Sequence, residues 1–75
     1  MPHQMLDLSG LQCPMPILKT KKAVAALTPG ATIEVLATDP GSVADFKAYC
    51  EHSKNRLVEN TEKDGVFRFV IERAG

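Results

Sequence analysis

The chain has 75 residues, nine basic and nine acidic side chains for a formal net charge of zero, and a composition 44% apolar and 24% charged. That describes a single globular domain, 1–75, burying roughly 60% of its unfolded surface, with room for two packed layers but not for an enclosed pocket plus catalytic apparatus. Balanced charge with a pI near 6.7 argues against a dedicated nucleic-acid binder, and the apolar runs fall far short of the ~20 residues of a membrane span.

The first residues, Met1 to Asp7, show no basic flank and no long apolar run, so no secretory signal is expected. Two cysteines are too few to staple a small secreted scaffold, so the expected setting is the cytoplasm, with both thiols reduced. Gln4 to Leu8 alternates as a strand, Leu6 and Leu8 on one face and Asp7 on the other. Ser9-Gly10 is a turn signal. From Pro16 to Leu27 apolar side chains fall at helical spacing, with Ile17, Val24 and Leu27 on one stripe beside Thr20. Lys19 and Lys22 lie off that stripe, with Lys21 at its edge, and Thr28-Pro29-Gly30 stops the helix.

Thr32 to Ala37 reads as a largely buried strand, Ile33, Val35 and Ala37 alternating with Glu34 and Leu36. After the Asp39-Pro40-Gly41 turn, Ser42 with Asp45 three residues on has the form of a capping box opening a second helix. Val43, Phe46 and Cys50 form its inward stripe, and Asn55 is the expected stop. Leu57 to Glu62 and Val66 to Glu72 are the last strands, paired antiparallel through Lys63-Asp64-Gly65, since Asp-Gly tolerates the positive φ of a tight hairpin. Phe67, Phe69 and Ile71 form the inward row of the final strand. The order β-α-β-α-β-β predicts an α/β fold, a two-layer sandwich of a four-stranded mixed sheet with both helices on one face.

Ordinary packing does not account for Gly10-Leu11-Gln12-Cys13-Pro14-Met15-Pro16. Prolines are tolerated in a first helical turn, where amides lack intrahelical acceptors, and each restrains the residue before it. Cys13 is thereby placed at the lip of the first helix, where the positive end of the dipole favours thiolate over thiol. Pro14 and Pro16 remove two amide donors, while Met15 and Ile17 keep theirs. This makes Cys13 a candidate nucleophile or sulfur carrier. The competing reading is a small apolar residue at a strand–helix junction, free cysteine being among the most buried residue types, and the residues alone leave both open.

Cys50 reads as a buried, inert thiol. A disulfide to Cys13 would need Cα atoms within roughly 7 Å, which opposite helix ends disfavour. No metal site is expected, because Cys50-Glu51-His52 places its ligands on diverging directions of a helix and His3 lies near the terminus. His52 reads as an exposed polar residue. Lys19, Lys21 and Lys22 form the densest basic patch, either a solvated helix face or a docking surface for acidic partners or tRNA.

The run Leu6-Asp7-Leu8-Ser9-Gly10-Leu11-Gln12-Cys13-Pro14-Met15-Pro16 resembles the TusA family of small sulfur carriers, also called SirA-like proteins. The resemblance extends from about Leu6 to Glu72, with the Asp39-Pro40 turn, Asp45 and Cys50 also fitting the pattern. It implies that Cys13 accepts sulfane sulfur as a persulfide, or carries a thiosulfonate, and hands it on. Gly10, Pro14 and Pro16 would shape its loop and helix start, and Asp45 would serve conformation or docking. Implied partners are cysteine desulfurases, rhodaneses and downstream sulfurtransferases feeding tRNA thiolation or sulfur oxidation, with no cofactor, and a monomer suits such a shuttle. Gln12 and Met15 stand where many tRNA-pathway members carry arginine and an acid, and residues 37–46 are similar to members of sulfur-oxidising microbes. Lys54-Asn55-Arg56 replaces a glycine-histidine-type turn. The alternatives are an RNA-binding module, opposed by the neutral charge and the single tyrosine, and a regulatory interaction domain without sulfur chemistry.

Overall fold

A computed structural model describes residues 4–12 and 14–74; Cys13 and His3, singled out above, lie outside the described residues. The elements are β1 (Gln4–Leu8), α1 (Met15–Ala25), β2 (Thr32–Ala37), α2 (Ser42–Ser53), β3 (Arg56–Lys63) and β4 (Val66–Glu72). They form the expected α/β sandwich, with strand order β1-β2-β4-β3 in one sheet. β1 pairs parallel to β2 in the register Leu8↔Ala37, and β4 runs antiparallel to both β2 and β3. The mixed sheet follows from the connections: α1 returns the chain for a parallel neighbour, whereas Asp64 (φ 53°) and Gly65 (φ 80°) reverse it within two residues.

Alternation decides which side of the sheet the helices cover. Ile33, Val35 and Ala37 of β2 and Phe69 and Ile71 of β4 are buried, together with Leu8, Val24, Leu27, Phe46 and Cys50, in one core. Phe46 of α2 packs on Phe69 of β4, ring centroids 4.2 Å apart and planes tilted by 54°, a favourable offset geometry. On the opposite side of the sheet Arg68 of β4 donates to Glu34 of β2 at 2.8 Å and to Glu59 of β3 at 2.6 Å.

Four local expectations are corrected. The Ser42–Asp45 capping box does not form: Gly41 is the N-cap and no side chain caps the helix, because Ser42 already lies inside the first turn with its hydroxyl buried and unpartnered. Asn55 does not stop α2, which ends at Ser53 with Lys54 in the left-handed region at φ 69°. α1 ends at Ala25 rather than Leu27, as the amides of Ala26 and Leu27 turn back to Ala23 and Val24. β3 is longer than expected, with an irregularity between Leu57 and Glu59 that shifts its register on β4.

Candidate functional site

The register of β1 on β2 brings two loops side by side at one end of the sheet. Leaving β1, the Asp7 carboxylate accepts the Ser9 amide at 3.0 Å, and hydrogen bonding from the Ser9 side chain, then from its amide, holds the Asp7 carboxyl below its ordinary value. The Leu11 amide donates to Leu8 O at 3.2 Å, closing a turn whose third residue, Gly10, sits at φ +87°. Only glycine takes that φ without steric cost. The Gly10 amide is then free of the turn's own hydrogen bond and donates to Thr38 Oγ1, just past β2, at 2.8 Å.

The segment next enters α1. The Met15 amide donates to Gln12 O at 2.9 Å and the Leu18 amide to Pro14 O at 3.1 Å. The Met15 amide, one of the two donors expected to remain at this helix start, is therefore already engaged. Pro14 is the N-cap and the buried Pro16 occupies the first turn, which contains no acidic residue. The positive end of the α1 dipole is thus not offset by a carboxylate of its own helix, and Cys13 directly precedes that N-cap in the chain.

A groove of about 540 Å³ runs between the helices away from this loop, lined by Pro14, Ile17 and Lys21 of the α1 side and Asp45, Tyr49 and His52 of α2. Lys21 Nζ stands 5.9 Å from the centre of the Tyr49 ring, within cation–π range. Burial pushes the Tyr49 hydroxyl above its ordinary value, opposed by the hydrogen bond from Asn55. The structure thus brings Pro14, Lys21 and Asp45 together but separates the lysines, since Lys19 and Lys22 are exposed and not among the groove's lining. His52 is exposed, as expected, yet lines the groove. Tyr49 and Thr38 were not legible as site residues; Tyr49 had a signal, lying four residues after Asp45 on one helix face.

Cys50 is buried at 6% exposure, and burial pushes its thiol up. It is held as the neutral thiol near neutral pH, a poor nucleophile. Among the described residues no group of three or more His, Cys, Asp or Glu side chains could hold a metal ion, and no helix is long and apolar enough to cross a membrane.

Comparison with known proteins follows the same outline. The family profile described as Sulfurtransferase TusA matches residues 4–73. The chain is 48% identical over 71 residues to the sulfur carrier protein TusA of Allochromatium vinosum, covering 95% of this chain and 93% of that one. It is 44% identical to a sulfur-carrier candidate of Neisseria meningitidis, over 96% of this chain and 97% of the relative. The crystal structure of a SirA-like protein from Desulfitobacterium hafniense superposes with a TM-score of 0.83 at 30% identity, covering 95% of this chain and 97% of that chain. With the family profile and these relatives matching nearly the whole sequence, and the fold shared with a solved relative, the chain belongs to the TusA family of small sulfur carriers.

Proposed function

We propose that this protein takes sulfane sulfur onto Cys13 as a persulfide and passes it to a downstream sulfurtransferase. The observation that carries the reading is the Cys13-Pro14-Met15-Pro16 run within a full-length match to the sulfur-carrier family. A helix start free of acidic residues supports a thiolate beside it. In loading, the Cys13 thiolate attacks the terminal sulfur of a donor persulfide; the new S–S bond forms as the donor's own S–S bond breaks, and the donor leaves as a thiolate. Delivery is the same displacement in reverse sense, with an acceptor thiolate attacking the sulfur carried on Cys13. The transfers conserve electrons and call for no cofactor.

Cysteine desulfurase or rhodanese-type donors fit the loading step, and tRNA thiolation or sulfur oxidation would consume the cargo. Gly10, Pro14 and Pro16 shape the loop, while Lys19, Lys21, Lys22 and Asp45 are the docking candidates. The test is intact-protein mass spectrometry after incubation with desulfurase plus cysteine, or separately with thiosulfate or polysulfide. Wild type and Cys50→Ala should gain a reductant-sensitive sulfur, and Cys13→Ser should not. Loading that persists in Cys13→Ser, or no loading of wild type by any donor, would overturn the proposal.

A further inference from the structure

We infer that Thr38 is a positioning residue for Cys13, fixing the Ser9–Gln12 loop and through it the reactivity of the thiol; this rests on the carrier role proposed for Cys13. The turn from Leu8 to Leu11 uses the Leu11 amide for its own closure, and Gly10 at φ +87° presents its amide away from that bond. An amide so presented is open to an acceptor from outside the turn. It finds the Thr38 hydroxyl at 2.8 Å across 28 positions of sequence.

Thr38 is the residue immediately after β2, and Ala37 before it is in register with Leu8. The two strands therefore deliver hydroxyl and amide to the same level, so the contact follows from the sheet rather than from the loop. Thr38 is β-branched, which restricts its χ1 and limits how the hydroxyl can swing. Beyond Gly10 the chain is fixed again at Gln12, whose carbonyl accepts the Met15 amide at 2.9 Å. The direction in which the segment enters α1 is thus set at two places, and Thr38 is the one supplied by a different element. Releasing it frees the turn to rotate and loosens the approach of the chain to the positive helix end, on which thiolate stability depends.

The experiment measures the rate of Cys13 alkylation by iodoacetamide from pH 5 to 9, localised by peptide mass spectrometry, in wild type, Thr38→Val and Thr38→Ser. Sulfur loading from a donor is followed in parallel, and far-ultraviolet circular dichroism checks the fold. Thr38→Val keeps the shape but loses the acceptor, and should slow alkylation at pH 7 by about threefold or more, the value of one hydrogen bond, with the pH midpoint moved upward. Thr38→Ser should restore both rate and midpoint. An unchanged profile in Thr38→Val, or equal damage in Val and Ser variants, would overturn the inference. Because alkylation needs no sulfur transfer, it separates this outcome from failure of the carrier role, which would appear as a wild type that alkylates at Cys13 but never loads.

Discussion

Lys54 closes α2 at φ 69°, a conformation in which a side chain meets the following carbonyl and glycine does not. Asn55 was the expected stop because asparagine tolerates that region. It is otherwise employed: its Nδ2 donates to the Tyr49 hydroxyl at 3.0 Å, and its Oδ1 accepts the Ala74 amide at 2.8 Å. Asn55 thereby ties the groove tyrosine to the C-terminal segment, and the left-handed position falls to the residue before it. Replacing Lys54 with glycine should raise stability by about 0.5–1 kcal/mol, the relieved strain outweighing the added freedom of the unfolded chain. Urea denaturation checks this, and a lower midpoint for Lys54→Gly would contradict it. The sequence pointed to Asn55 alone; its contacts with Tyr49 and the distant Ala74 leave the left-handed position to Lys54.

At the scale of elements, the strands were legible where one face is buried. β2 and β4 span the residues their alternation predicts, because a slip of one position would turn Ile33, Val35, Phe69 and Ile71 out to solvent. β3 has fewer inward apolar residues to pin it, and its bounds and its shift at Val58 were accordingly not legible. The end of α1 was missed for a different reason: Leu27 is in the core although the helix has already ended. Arg73 accounts for this, its Nη1 donating to Ala25 O at 3.0 Å and also to Leu27 O. The cation satisfies carbonyls at the negative end of the helix dipole from beyond β4. Arg73→Met should cost about 1–2 kcal/mol in urea denaturation with the denaturant slope unchanged. Arg73→Lys should recover only part, since lysine keeps the cation but does not place its ammonium where the Arg73 Nη1 donates to both carbonyls. Stability within about 0.3 kcal/mol of wild type for Arg73→Met would show that water caps the helix equally well.

At the scale of the whole molecule, a two-layer sandwich leaves one face of its sheet without a covering layer, and that face must be held by its own side chains. Sequence alternation set Glu34 opposite the inward row of β2 but did not give its neighbours, since β4 lies between β2 and β3 only after the chain has folded. That order sets Arg68 between Glu34 and Glu59, with side-chain exposures of 33%, 18% and 52%. The hydrogen bonds to Glu34 and then Glu59 raise the Arg68 pKa further, so it remains a cation throughout the working range. Its guanidinium bridges three of the four strands, and without it two carboxylates would face each other across the sheet with Glu34 largely desolvated. Arg68→Gln should therefore lower the urea midpoint, and adding Glu34→Gln should return part of the loss by removing the repulsion. Because the cluster is partly exposed, about 1 M NaCl should shrink the difference between wild type and Arg68→Gln, the screening length falling to roughly 3 Å. Equal midpoints at low salt would show that the pleated sheet holds its open face by backbone pairing and Val70 packing alone.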